Sequence, residues 1–270
     1  MFGRTKGITY KTKSAGKTKN KTKAGKYNRT ISRDKEDIRA EINNRKSSGD
    51  SGTIIIIDEI GDLGKKAKKV GKVCSPSKVF GFGVSILENH DKYAKVSALY
   101  KEEKGISGEL KARKMETIDR IEFAYKIRKS GAKTFASYID KTKDIPHGWK
   151  ELDGSDIQIG LLRLTLDEIL PRIKSEKITV VVDDHTAYHD EKSRKNYVED
   201  MSETLSRKYG KDIECVTCYR KADKYSNHLQ TNDVVSHAIH ERKEEHSPWA
   251  SIAMGQKMRR VGKRDKIEKR

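Results

Sequence analysis

Apolar positions along this chain fall into short runs and helical stripes, separated by charged or glycine-rich stretches. Ile54-Ile55-Ile56-Ile57 is a continuous β-branched run, which predicts a strand buried on both faces over Thr53–Asp58. A loop rich in Lys, Gly, Ser and Pro follows over residues 62–77. Lys78–Glu88 reads as a second strand, with Val79, Gly81 and Gly83 on one face and Phe80, Phe82, Val84 and Ile86 on the other. Asp91–Lys104 predicts a helix, broken by Gly105-Ile106-Ser107-Gly108-Glu109-Leu110-Lys111. Met115, Ile118, Ile121 and Tyr125 form a helical stripe that ends at Gly131. Thr134–Ile139 is a third strand, Ile157–Ile173 a helix with Pro171 near its end, and Lys177–Asp183 a fourth strand. Tyr197, Met201, Leu205 and Tyr209 stripe a helix that stops before Gly210. Ile213–Tyr219 is a further strand, and Ser226–Glu241 a helix carrying Leu229, Val234, Ala238 and Ile239. Strands alternating with helices over the second half predict an α/β layered fold, and the first two strands an antiparallel pair at its start.

Residues 1–50 interrupt this pattern. They hold too few apolar side chains to form a core, and they predict a disordered basic arm. Lys-Thr-Lys recurs there at 11–13, 17–19 and 21–23. Ile38 and Ile42, one helical turn apart, predict a short helix before the Ser-Ser-Gly-Asp-Ser-Gly linker at 47–52. The expected organisation is an arm over 1–50, one folded domain over 51–245, and a basic tail over 246–270.

Charge sharpens the choice of partner. The chain of 270 residues carries a formal charge of +19. Residues 1–33 contain eleven Lys/Arg and no acid, so 48 basic and 40 acidic residues remain in the rest, a balance of +8. A polyanion is the expected partner, nucleic acid (RNA or DNA) before any anionic membrane. Lys11, Lys13, Lys17, Lys19, Lys21 and Lys23 are the candidate phosphate contacts of the arm. No apolar run approaches membrane-spanning length, and the N-terminus lacks the apolar core of a secretory signal. Three cysteines, Cys74, Cys215 and Cys218, make no disulfide framework. An intracellular, cytoplasmic setting without a membrane partner is the expectation.

The candidate chemistry sits where strands end. Ile57 runs into Asp58-Glu59-Ile60-Gly61-Asp62, and Val182 into Asp183-Asp184. Two buried strands that each deliver an acid predict a carboxylate cluster at one end of a sheet, and a divalent metal relieves the repulsion in such a cluster. Asp233 lies among apolar residues of the last predicted helix, with Gln230 three residues earlier on the same face.

Taken in order, these segments resemble a known family. Asp58-Glu59-Ile60-Gly61-Asp62 is similar to the Asp-Glu-Ser-Gly-Asp motif that opens the ribonuclease H-like family known as domain of unknown function 3800. Gly108-Glu109-Leu110-Lys111 resembles its Glu-(Ile/Leu)-Lys motif, Val180-Val181-Val182-Asp183 its late strand, and Leu229-Gln230-Thr231-Asn232-Asp233 its closing Leu-Gln-x-x-Asp helix. The resemblance spans roughly residues 53–241. Ile60 stands where the family usually has Ser, and Asn232 where Ala is common. Asp184 beside Asp183 leaves two choices for one ligand. The resemblance implies a mixed ribonuclease H-like sheet flanked by helices. It also implies a site in which Asp58, Glu109, Asp183 and Asp233 are the catalytic and metal-binding residues, holding two Mg²⁺ or Mn²⁺ ions for phosphodiester hydrolysis. Asp58 would stand between the ions, and Lys111 would meet a substrate phosphate.

Two other chemistries compete. Cys215-Val216-Thr217-Cys218 together with His185 and His189 would make up a Cys₂His₂ zinc set, but residues three apart in a strand point to opposite faces. The alternative function is a non-catalytic nucleic-acid-binding or nucleoprotein-assembly protein on the same fold. His228, His237 and His240 read as a polar face of the last helix.

Overall fold

A computed structural model describes residues 52–61, 77–143, 146, 152, 154–183, 191–218 and 227–267. Statements of absence below refer to these residues. Six strands build one mixed sheet: β1 (Thr53–Gly61), β2 (Val79–Leu87), β3 (Lys133–Asp140), β4 (Lys177–Asp183), β5 (Asp212–Cys218) and β6 (Lys257–Val261). Their order is β5-β4-β1-β2-β3-β6. β2 runs antiparallel to both β1 and β3, while β4, β5 and β6 join through parallel pairings. β2 is therefore the one strand pointing the other way, and β1, β4 and β5 open their C-terminal ends at the same edge. The expected antiparallel pairing of the first two strands and the expected mixed sheet flanked by helices are both present.

Among the described residues six helices flank the sheet: α1 (His90–Glu103), α2 (Thr117–Lys129), α3 (Gly154–Ile169), α4 (Glu191–Tyr209), α5 (Asn227–His240) and α6 (Trp249–Met254). The Ile54–Ile57 run explains why both faces need covering. Ile55 and Ile57 pack with Ile157, Leu161 and Leu166 of α3 and Tyr197, Met201 and Leu205 of α4. Ile54 and Ile56 pack with Tyr93 of α1, Phe123 of α2 and Val234 of α5. All four isoleucines are buried, each stabilising the fold by roughly 1.5–3 kcal/mol. At the end of β1, Gly61 has φ 69, and a Cβ there would stand 2.2 Å from the Val79 carbonyl oxygen. Any other residue would therefore disrupt the β1–β2 pair at this end.

Local signals place the helix ends. Asn89 caps α1, its side chain accepting from the Lys92 N–H at 3.1 Å. α3 passes into a 3-10 turn over Leu170–Arg172 at Pro171. The stripe on α2 is rotated from the expected one. Ile118 and Tyr125 are 71% and 51% exposed, whereas Arg120, Phe123, Ala124 and Ile127 face inward. Arg120 accounts for the rotation. Its guanidinium reaches the Ala112 and Met115 carbonyls and pairs with the buried Glu241 at 2.6 Å. A buried ion pair thus takes a position that hydrophobic periodicity assigns to the surface. Met115 is buried as well, but ahead of the helix rather than on it.

The C-terminal stretch also differs from the expected basic tail. α5 continues through a π-turn, Glu241–Glu245, to His246 at φ 57. α6 follows, and β6 then pairs with β3 from Phe135↔Lys257 to Ile139↔Val261. Val261 and Ile267 are buried in the core. Lys257, Arg259 and Arg260 make this an edge strand with charged side chains, a pattern that guards an open sheet edge and that composition alone reads as tail. Residues 1–50 lie outside the described residues.

Candidate functional site

Register brings the first two acids together. β1 and β4 pair in parallel from Thr53↔Ile178 to Ile57↔Val182, so the next residues on each strand are Asp58 and Asp183. Neighbouring strands stand about 4.8 Å apart, and residues in register point to the same face. That face carries Ile54, Ile56 and Val181, and α5 lies across it. Both aspartates are half-buried.

α5 approaches this end of the sheet closely because β2 has a glycine there. Gly83 is the cross-strand partner of Asp58. A Cβ on Gly83 would stand 2.3 Å from Ser236 Oγ and 2.7 Å from Ser236 Cα. The Ser236 hydroxyl donates to the Asp58 carbonyl at 3.2 Å. One turn earlier, Asn232 is fully buried. Its Oδ1 accepts from Ser85 Oγ at 2.6 Å and Tyr93 Oη at 3.1 Å, and its Nδ2 donates to the Gly83 carbonyl at 3.0 Å. Burial pushes the Tyr93 phenol up, the Ser85 hydrogen bond opposes that, and the charge of Asp58 adds to it. This polar network fixes α5 against β2 and sets the position of Asp233.

The Glu109-Leu110-Lys111 segment is held by the same helix. Gln230 Oε1 accepts from the Leu110 N–H at 2.9 Å and from Lys101 Nζ at 3.3 Å. Asp233 Oδ2 accepts from the Ala112 N–H at 2.6 Å. Side chains three apart on a helix thus clamp backbone groups two apart on an extended segment. Between the clamps, Lys111 Nζ lies 2.5 Å from Glu109 Oε1 and 4.0 Å from Asp233 Oδ1.

Electrostatics tie these groups into one site. Burial raises the Asp58 carboxyl well above the ordinary 3.8, and the charges of Asp183 and Asp233 raise it further. The Glu59 N–H, donating to Asp58 Oδ1 at 2.8 Å, opposes the rise, and the Glu59 charge adds to it. Burial raises Asp233 too, against the Ala112 N–H and the Lys111 charge; Glu109 adds to the rise and Arg113 subtracts from it. Asp183 and Asp233 therefore both act on Asp58, and Glu109 acts on Asp233. Hard, mutually repelling carboxylates at strand ends are the donor chemistry that Mg²⁺ and Mn²⁺ take. As placed, no group of three or more His, Cys, Asp or Glu side chains among the described residues stands ready to hold a metal ion.

Lys11, Lys13, Lys17, Lys19, Lys21, Lys23, Asp62, Asp184, His185 and His189 lie outside the described residues, as does the Cys218 side chain. Cys215 is buried, which pushes its thiol up to about 12. Asn232, Ser236, Gly83 and Arg120 support the site without carrying its chemistry. The sequence signal for Asn232 and Ser236 is a helix whose buried side carries Gln230, Thr231, Asn232 and Ser236, polar residues in core positions, whereas Gly83 and Arg120 have no such local signal. Comparison with known protein families and with curated proteins gives no match for this chain.

Proposed function

We propose that this protein is a metal-dependent nuclease that hydrolyses phosphodiester bonds of nucleic acid, on a ribonuclease H-like sheet. The observation that carries this is the pairing of Asp58 and Asp183 on adjacent parallel strand ends, with Asp233 laid near them by α5. The antiparallel β1–β2 start and the parallel β1, β4 and β5 support the fold assignment. So do the motifs at Asp58, Glu109, Asp183 and Asp233, and the basic balance of the chain favours a polyanionic substrate.

Asp58, Asp183 and Asp233 would hold Mg²⁺ or Mn²⁺, with Glu109 completing the set. Two such ions supply an activated water and stabilise the leaving oxygen of an in-line displacement. Asp58 is fixed by its strand and by the Glu59 N–H, which takes one carboxylate oxygen and would leave the other to a metal. Asp233 is fixed by the Ala112 N–H. Lys111, now on Glu109, is positioned to exchange that carboxylate for a substrate phosphate. One observation favours the non-catalytic alternative: Lys111 already neutralises Glu109, so an internal cation fills part of the role a metal would take.

Titration with Mn²⁺ followed by electron paramagnetic resonance separates the two. A nuclease site binds Mn²⁺ saturably at about two ions per chain, and Asp58→Asn abolishes most of that binding. Absence of saturable binding in the wild type would favour the non-catalytic protein.

A further inference from the structure

The edge of the sheet that holds the carboxylates extends well past them. β3 runs antiparallel to β2, as β1 does, and β6 runs parallel to β3. The C-terminal ends of β3 and β6 therefore stand at the same edge as Asp58 and Asp183. Register ties the faces together as well. Ile60 pairs with Gly81, Gly81 with Tyr138, and Tyr138 with Arg260, a row that crosses the sheet from β1 to its open side. Side chains alternate along a strand, so this row shares the face of Asp58, two residues before Ile60. Ile60, Tyr138 and Met258 pack with Ile239, which identifies that face as the one α5 covers.

Cations occupy the far half of the row. Lys243 Nζ lies 4.6 Å from the centroid of the Tyr138 ring, and Arg260 is exposed on the edge strand. Just beyond, β6 enters a tight turn. The Asp265 N–H donates to the Gly262 carbonyl at 2.8 Å, and the Gly262 N–H to Asp265 Oδ2 at 2.9 Å. Lys263 and Arg264 are the exposed tip of that turn. The acids among these groups are engaged locally. Asp265 also accepts from Arg259 at 2.7 Å, and Asp140 accepts from the Thr142 N–H at 3.0 Å and its hydroxyl at 2.6 Å. Glu244 accepts from the Val79 N–H at 3.1 Å, and Glu245 lies 3.9 Å from His240. Lys243 and Arg264 make no ion pair among the described residues.

This end of the sheet is thus divided by charge, with repelling acids at β1 and β4 and cations across β3 and β6. Three strand spacings of about 4.8 Å put β6 roughly 14 Å from β1. At a rise of about 3.4 Å per nucleotide, that is the reach of roughly four nucleotides of one strand. Cations spread over such a span match a chain of phosphates better than one small anion.

We infer that the β3–β6 end of the sheet, with Lys243, Arg260 and the Lys263-Arg264 turn, is the surface along which a nucleic-acid strand lies as it leaves the carboxylate site. Its backbone phosphates rest on these cations. The inference rests on the nuclease assignment for what occupies the carboxylates, but it concerns binding alone.

The test is binding of a labelled single-stranded oligonucleotide to the full-length protein, followed by fluorescence anisotropy without divalent cations over a range of salt. Lys243→Gln/Arg260→Gln/Arg264→Gln removes three charges from the proposed track. Lys129→Gln/Lys174→Gln/Lys177→Gln removes three exposed charges from the opposite end, before or at the starts of β3 and β4, and changes net charge equally. The first variant should bind about tenfold more weakly, with a log–log salt slope shallower by about two, since each phosphate contact on a single strand contributes roughly 0.7. The second should keep the wild-type slope. If the first variant melts below the wild type, Lys263→Gln/Arg264→Gln, confined to the turn tip, carries the test, with a slope shallower by about one. Equal losses from the two triple variants overturn the inference, as does an unchanged slope in the track variants or no binding by the wild type. Neither metal nor cleavage enters the measurement, so a protein that cuts nucleic acid can still fail it, and one that cuts nothing can pass.

Discussion

Asp58 is held above its ordinary value by burial and by the charges of Asp183 and Asp233, so the folded chain favours its protonated form. The stability it contributes is complete below the ordinary 3.8 and is lost as pH rises through its raised folded value. Asp58→Asn removes that loss while its amide oxygen still accepts from the Glu59 N–H. The variant should therefore melt above the wild type at pH 7.5, and the gap should close toward pH 4. A tenfold change in proton affinity on folding is worth about 1.4 kcal/mol, or roughly 3–6 °C in melting temperature for a domain of this size. Equal melting temperatures across that range would contradict the electrostatic account. At Asn232 the expectation is the reverse. Asn232→Ala leaves the buried Ser85 and Tyr93 hydroxyls without this acceptor and the Gly83 carbonyl without its donor. Chemical denaturation should show a loss of about 2–4 kcal/mol. The acids themselves were legible in the sequence because each ends a run of β-branched residues. Asn232 was not, since one polar residue in a helix gives no sign of whether it faces solvent or a buried hydroxyl.

The contact between α5 and β2 decides where Asp233 lies relative to Asp58. In Gly83→Ala the new methyl would meet Ser236 Oγ at 2.3 Å and Ser236 Cα at 2.7 Å. Trimming Ser236 to Gly removes the first clash but not the second, so Ser236→Gly should fail to rescue Gly83→Ala. Overpacking of this kind costs about 1–3 kcal/mol, and Mn²⁺ affinity should fall with it as α5 is pushed outward. A melting curve and a Mn²⁺ titration of Gly83→Ala check both halves; unchanged values for either would show that α5 is not tightly seated. Strands were easier to foresee than helix faces. A doubly buried strand reads as an unbroken apolar run, whereas the inward face of α2 contains Arg120, whose burial depends on Glu241 about 120 residues away. No local pattern records such a partner. The register that sets Asp58 beside Asp183 is equally invisible locally.

Across the whole molecule, two terminal truncations should behave differently. Removing residues 1–50 leaves every described core residue in place, because burial begins at Thr53. Melting temperature should hold, while nucleic-acid affinity falls and its salt dependence flattens as fewer counterions are released. Ending the chain at Gly255 instead removes β6 and the buried Val261 and Ile267. That loss exposes the edge of β3 and should destabilise the domain by several kcal/mol, at roughly 1.5–3 kcal/mol for each buried aliphatic side chain. If the second truncation melted like the full chain, the stretch would be the tail its composition suggests. The same basic residues serve both ends in the sequence, and only strand pairing distinguishes an edge strand from a tail. Cleavage of labelled RNA, DNA and hybrid, with Mg²⁺ or Mn²⁺, by the wild type and by Asp58→Asn tests the proposed activity most directly. The account predicts that the wild type cuts at least one of the three only when metal is present, and that Asp58→Asn binds the same substrate without cutting it. A wild type that binds all three and cuts none under either metal would contradict it.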